Sequence, residues 1–174
     1  MNVIELAKNS EEIELSGEDV HRISDGKATI MSYTELENFD NLDSVFGKNN
    51  CLILLYEIRK NTGHWVCLIR DNEQNTVDFF DPYAIKMDGE LAYTQYYHES
   101  GVPHLTRLVQ SSGYRLIENK FQYQEFKADV ETCGRWSAFR CRMSHLSPQQ
   151  FQQLFSKISA SQRDFYISVI TMFM

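Results

Sequence analysis

The chain has 174 residues, 43% hydrophobic and 13% aromatic, and this composition predicts one folded domain spanning residues 1–174. Its formal net charge of −7 argues against broad, non-specific binding to nucleic acid, which needs a basic surface. Because it has neither a signal-peptide pattern nor a run of about 18 apolar residues, we expect a protein that is not secreted and has no membrane partner.

The first 50 residues contain one clear helix signal. Ser16 at a capping position, with Asp19 three residues later, predicts a short helix that ends near Asp25-Gly26. Residues 28–50 are rich in Asp, Asn and Glu, and we predict irregular structure there with one or two short helices.

Three short apolar runs then predict an antiparallel meander of strands. Residues 51–56 form a continuous apolar run, which is typical of a buried central strand. Residues 64–70 and 76–80 follow after short polar turns. Turns this short join antiparallel strands, because parallel strands need a long crossover.

The second half of the chain predicts mainly helices. We expect helical structure over part of the tyrosine-rich residues 83–101 and over residues 102–109, then a short strand at residues 114–118. Residues 147–155 combine a serine cap, a proline at the first helical position and an apolar face. Residues 164–173 fit either a helix or a strand, and we favour a helix.

Cys133 is the first candidate for chemistry. Behind it Trp136, Phe139 and Met143 recur at spacings of three and four, which predicts a helix that begins at the cysteine. The positive end of a helix favours an anion, so a thiol there ionises more readily. Gly134 would leave space for an approaching substrate carbonyl. A lone cysteine is often only a small core residue, so a nucleophile also needs a partner base.

The other cysteines are Cys51, Cys67 and Cys141, and we interpret them as reduced packing residues. No pair of cysteines has Cys-x-x-Cys spacing, and cysteines and histidines are not grouped at metal-ligand spacings. We therefore expect neither a disulfide framework nor a metal or organic cofactor.

His64 and Asp81 are the candidates for a base and its orienting group. His64 begins the second predicted strand and Asp81 ends the third, and in an antiparallel pair these two ends lie together. A carboxylate beside the imidazole would orient the ring and stabilise its charged form. Taken alone, Asp81 before Pro82 also fits a simple turn cap.

These residues together resemble a known family. Gly63-His64-Trp65, Asp81 in Phe-Phe-Asp-Pro, and a glutamine before Thr-Cys-Gly resemble the adenain and ubiquitin-like-protein protease group of cysteine peptidases. The order His, Asp, Gln, Cys is the reverse of the papain order. The segment Thr-Cys-Gly-Arg-Trp, with Tyr-Gln upstream, is most similar to the maturation proteases of virophages, polinton-like elements and large DNA viruses.

The resemblance implies an α+β, papain-like or adenain-like cysteine peptidase fold. A central helix carrying Cys133 would pack against a mixed, largely antiparallel sheet carrying His64 and Asp81. Cys133 would attack the substrate carbonyl, His64 would accept and return the proton, and Asp81 would orient His64. Gln124 and the backbone N–H of Cys133 would form the oxyanion hole. Cys133 lies nine positions after Gln124, a longer gap than is usual in the family, so the loop needs an insertion; Gln122 is the alternative.

The resemblance also implies a substrate site and a function. Trp65 would cover the catalytic pair and, with Gly134, help to bind substrate; an ordinary core tryptophan is the alternative. The first hypothesis is a monomeric endopeptidase that processes capsid or other structural proteins at Gly-containing sites, inside the virion and the infected cell. An isopeptidase that removes ubiquitin or a ubiquitin-like modifier is the second. An inactive peptide-binding module of the same fold is the third.

Overall fold

The computed structural model describes residues 2–94 and 101–174. Its centre is a 5-stranded sheet in the order β1-β2-β3-β4-β5. The strands are β1 Ala28–Ser32, β2 Cys51–Arg59, β3 Thr62–Asp71, β4 Thr76–Phe80 and β5 Arg115–Glu118. The helices are α1 Val3–Glu11, α2 Gly17–Ile23, α3 Leu42–Phe46, α4 His104–Ser112, α5 Cys133–Arg142, α6 Pro148–Gln153 and α7 Ala160–Met172, with 3-10 helices at Tyr33–Asn38 and Gly89–Tyr93.

The predicted meander is confirmed. Strand β3 pairs antiparallel with both neighbours, so that Leu68 lies opposite Leu52 on β2 and Phe79 on β4. Asn61 and Asn75 turn the chain at positive φ of 60° and 53°, a conformation that asparagine tolerates well. The edge strands β1 and β5 pair in parallel with β2 and β4. The sheet is therefore mixed and largely antiparallel, and the α+β fold class is confirmed.

The predicted helices are largely confirmed. Ser16 forms a capping box with Asp19 at the start of α2, and Ser147 caps α6 ahead of its proline. The ambiguous C-terminal residues 164–173 belong almost entirely to the long helix α7. Within the tyrosine-rich stretch Gly89–Tyr93 forms a 3-10 helix, whereas residues 95–100 lie outside the described residues.

The prediction of irregular structure for residues 28–50 was incomplete, because they begin with strand β1. This strand is only five residues long and mostly half-buried, so the sequence shows neither a continuous apolar run nor a sharp alternation. Two short helical segments follow it, as predicted.

Both faces of the sheet are buried. Alternating residues of β3 point to opposite sides, so Trp65, Cys67 and Ile69 face the core that contains α5. Val66 and Leu68 face the other core, which contains α4. Helix α5 packs directly on β3, which brings the first residue of that helix to the end of the sheet where β3 begins and β4 finishes. In the described part of the chain, every helix is too short or too polar to cross a membrane.

Candidate active site

The end of the sheet brings His64 and Asp81 together. Nε2 of His64 lies 3.0 Å from Oδ1 of Asp81, and the two residues are 6% and 0% exposed. Asp81 is fixed by its neighbours: its Oδ1 accepts the Tyr83 backbone N–H at 2.7 Å, and Asn119 bonds to both its N–H and its carbonyl at 2.9 and 2.7 Å. A carboxylate held in this way can orient an imidazole ring.

The electrostatics of this buried pair favour a charged imidazole. Burial by itself would lower the pKa of His64, because it disfavours the charged form. The charge of Asp81 and the hydrogen bond to it act in the opposite direction, and the neighbouring Cys133 side chain adds to them. Together they hold the pKa of His64 well above its usual value.

Cys133 is the first residue of α5, as expected from the apolar spacing behind it. Its side chain is 2% exposed and contributes to the raised pKa of His64, so the two side chains are neighbours. The unpaired N–H groups at this helix end favour a negative charge on the sulfur. The remaining cysteines, Cys51, Cys67 and Cys141, are buried free thiols in the core, as predicted.

Gln124 is fully buried nearby, but its amide protons are already engaged. Its Nε2 donates to the hydroxyl of Tyr83 at 3.0 Å and to the carbonyl of Val130 at 2.8 Å. The side chain of Gln122 donates to the Gln124 carbonyl at 2.8 Å and so braces the same loop. Gln124 can therefore donate to a reacting oxygen only if it gives up one of these two acceptors.

An aromatic stack that the sequence analysis missed covers His64. Tyr83 stacks on the imidazole at 4.8 Å between ring centroids with an interplanar angle of 14°, and Phe126 stacks on Tyr83 at 4.2 Å and 14°. Phe126 is 64% exposed, so the stack leads from the His64–Asp81 pair to the surface. The two aromatic residues come from distant parts of the chain, and no local pattern marks either of them.

Glu90 is a further acidic group that the sequence analysis missed. Its Oε1 lies 4.0 Å from Nε2 of His64, and the residue is 7% exposed. Burial raises the pKa of Glu90, the charge of His64 lowers it, and the charge of Asp81 raises it, with a net increase. Within the described residues, His64, Asp81 and Glu90 are the group whose donor atoms are close enough to hold a metal ion. An ion there would compete for the nitrogen that faces Asp81.

Gly134 lies against the core. A Cβ on this residue would lie 3.1 Å from Cδ1 of Trp65 and 3.2 Å from Cβ of Leu15, so the missing side chain makes room for packing within the protein. Trp65 is 5% exposed and donates its Nε1 proton to the Leu15 carbonyl at 3.2 Å. Trp65 is thus a core residue, although its edge also lines a surface cleft of about 700 Å³.

Two arginines of α5, Arg135 and Arg140, have structural contacts. Arg140 forms a buried ion pair with Asp78 at 2.9 Å. Arg135 donates to the hydroxyl of Thr171 at 2.9 Å and to the carbonyl of Ser10 at 3.3 Å. Both side chains are therefore taken up by contacts within the protein.

A helix that begins with a cysteine, packed on a mixed sheet whose end carries a His–Asp pair, is the arrangement of adenain-type and ubiquitin-like-protein protease folds. One solved structure has the same fold. The ASFV pS273R protease matches with a TM-score of 0.51 and 15% identity, over 92% of this chain and 68% of that one. The Ulp1-like SUMO protease catalytic domain of Chaetomium thermophilum matches with a TM-score of 0.42 and 14% identity, over 98% and 69% of the two chains, too distant to support a conclusion. The chain therefore has a cysteine protease fold.

The sequence comparison identifies the family. The uncharacterized protein V9 of Sputnik virophage is 34% identical over 155 residues, which cover 84% of this chain and 85% of V9. The chain belongs to the same protein family as V9. No family model matches it.

Proposed function

We propose that the protein is a cysteine endopeptidase with Cys133 as its nucleophile, His64 as its general base and acid, and Asp81 as the group that orients His64. The observation that carries the proposal is the buried imidazole of His64, bonded to Asp81 at 3.0 Å and acted on by the thiol of Cys133 at a helix N-terminus. A raised pKa on this histidine favours its imidazolium form, which can pair with a thiolate and later donate a proton.

The chemistry follows from that pair. The Cys133 thiolate attacks the scissile carbonyl carbon, and the electrons of the C=O bond move to the oxygen. When the oxyanion collapses, the C–N bond breaks and the His64 imidazolium gives its proton to the leaving amine. The neutral imidazole then takes a proton from water, which attacks the thioester and releases the thiolate. Asp81 stabilises the imidazolium form of His64 each time it occurs.

We propose that Gln124 completes the oxyanion hole with the backbone N–H of Cys133. The Gln124 amide donates to the hydroxyl of Tyr83 and to the carbonyl of Val130, so it must release one of these two acceptors before it can serve the oxyanion. One such donor contributes about 10²–10³ in rate. The site is therefore closed to a substrate oxygen, and substrate entry must rearrange these hydrogen bonds.

We further propose that the substrates are capsid or other structural proteins cut at Gly-containing sites, inside the virion and the infected cell, by a monomeric enzyme. Cys133 and His64 are only 2% and 6% exposed, and the stack of Tyr83 and Phe126 restricts the approach. A substrate backbone without bulky side chains fits such an approach best. Family membership with a virophage protein and a fold shared with a viral protease support the viral setting.

The proposal is tested by incubating the purified protein with capsid proteins of the same genome and with a fluorogenic Gly-Gly peptide. Cys133→Ala should abolish cleavage, whereas Cys141→Ala, on the same helix but buried in the core, should retain it. Mass spectrometry of the products gives the cut sites. Cleavage of a ubiquitin-like conjugate without cleavage of capsid proteins would favour the isopeptidase hypothesis instead.

An inactive peptide-binding module is the second candidate, because the closed site specifically favours it. Cys133 is almost fully covered and both amide protons of Gln124 have acceptors. A thiol-reactive peptide analogue separates the two functions. In a protease the analogue should label Cys133 preferentially, whereas a silent module should bind the analogue without being labelled.

A further inference from the structure

We propose that Arg163 and Asp164, near the start of α7, are positioning residues that set the place of Gln124 relative to Cys133. This inference rests on the proposed function, because it concerns the donor that Gln124 supplies to the oxyanion. Neither residue would touch substrate. Both would act through the loop of residues 121–125 and the start of α5.

Asp164 joins the two halves of the proposed oxyanion hole. It is 0% exposed, and its Oδ1 accepts the Thr132 hydroxyl at 2.6 Å and the Trp136 indole N–H at 3.0 Å. Its Oδ2 accepts the backbone N–H of Glu125 at 2.8 Å. One carboxylate therefore bonds to Thr132 directly before Cys133, to Trp136 in the next turn of α5, and to Glu125 directly after Gln124.

Arg163 holds the other side of the same loop. Its Nη2 donates to the carbonyl of Gln122 at 2.8 Å and its Nε donates to the carbonyl of Tyr123 at 3.2 Å. Its guanidinium also lies 4.6 Å from the centroid of the Phe121 ring. The backbone is thus tied to α7 immediately before Gln124 by Arg163 and immediately after it by Asp164.

This arrangement explains the segment Thr-Cys-Gly-Arg-Trp, which the catalytic roles alone leave unexplained. Thr132 and Trp136 flank Cys133 at a spacing of one helical turn, and both donate to the same oxygen of Asp164. A carboxylate accepts through both of its oxygens, whereas an asparagine would turn an N–H₂ group toward at least one of these donors. The contacts therefore require aspartate and not merely a side chain of that size.

The expected consequence is a defect in the transition state and not in the nucleophile. An oxyanion donor must lie about 2.7–3.1 Å from the developing charge, and misplacement by about 1 Å costs about 10² in rate. Asp164→Asn should therefore lower kcat by about 10²-fold with little change in KM. Alkylation of Cys133 by iodoacetamide passes through no oxyanion, so its rate should stay near that of the parent.

The matched control is Asp78→Asn, because Asp78 is also a buried carboxylate that bonds to a residue of α5, the distant Arg140. This control should lower the melting temperature and leave kcat unchanged.

Affinity for a peptide aldehyde, whose thiol adduct carries an oxyanion, should fall in parallel with kcat in Asp164→Asn. Combining Asp164→Asn with Gln124→Ala should add little to the loss caused by Gln124→Ala alone. Thr132→Val removes a single donor and gives a milder variant should Asp164→Asn fold poorly.

A readout that does not depend on activity keeps the two proposals distinguishable. The NMR signals of the Gln124 side-chain amide should shift in Asp164→Asn or Thr132→Val and stay in place in Asp78→Asn. Unmoved signals in a folded variant would overturn the positioning role whether or not the parent cleaves peptides. The positioning role would also be overturned if the alkylation rate of Cys133 fell as much as kcat. The same holds if the loss of kcat in the double variant equalled the combined losses of the two single variants. An inactive parent with shifted signals would count against the proposed function alone.

Discussion

Asp81→Asn should remove the charge that keeps His64 protonated while leaving the shape of the site almost unchanged. The carboxylate lies 3.0 Å from Nε2 of His64, with 0% exposure, so solvent does not screen the pair. Without that charge, burial favours the neutral imidazole and the thiolate loses its partner. We expect kcat/KM to fall by about 10²–10⁴-fold.

The same substitution should change stability in a pH-dependent way. The pKa of His64 is raised in the folded protein, so the pair stabilises the fold fully below the unfolded pKa of about 6.5 and ceases to do so as pH rises through the folded pKa. Removing one partner from a buried pair costs about 3–5 kcal/mol when both are charged. Asp81→Asn should therefore lower the free energy of unfolding most near pH 5, and the difference from the parent should shrink at alkaline pH.

Two measurements check this prediction. The alkaline limb of kcat/KM against pH should move to lower pH in Asp81→Asn, and urea unfolding near pH 5 and pH 9 should show the shrinking difference in stability. Asp78→Asn, which breaks the buried pair with Arg140, should lower stability without moving that limb. An unmoved limb in Asp81→Asn, or the same loss of stability at both pH values, would refute the reasoning.

Three further substitutions probe the surroundings of the pair. Tyr83→Phe keeps the ring stack but frees one Gln124 amide proton, so affinity for a peptide aldehyde should rise about 2–10-fold; an unchanged affinity would contradict the closed-site interpretation. Gly134→Ala forces a Cβ into packed side chains and should cost about 1–3 kcal/mol in thermal unfolding, whereas Gly17→Ala, with nothing within 4 Å, should not destabilise the fold. Glu90→Gln should move the alkaline limb of the pH profile to lower pH by less than Asp81→Asn does, because Glu90 is farther from the imidazole; a larger movement would contradict this order.

The sequence predicted the parts of the site that depend on local pattern. Continuous apolar runs and short turns define the meander, and antiparallel pairing then places the start of one strand beside the end of the next. That geometry is enough to bring His64 and Asp81 together. Apolar spacing behind Cys133 is enough to predict that a helix begins there.

The sequence could not predict what depends on distant packing. Tyr83 and Phe126 meet only because the loop after β4 folds back against the Gln124 loop, and Glu90 reaches His64 from a 3-10 helix. The packing at Gly134 is another example, because a missing side chain shows space without showing what borders it, and here Trp65 and Leu15 border it.

The most direct test of the account is reaction of the folded protein with a Gly-Gly peptide vinyl ester, followed by mapping of adducts on all four cysteines. The account predicts an adduct on Cys133, which the proposed base His64 activates, none on Cys51, Cys67 and Cys141, and loss of the adduct in His64→Ala. A Cys133 that reacts no faster than the other three cysteines, or equally fast without His64, would contradict it.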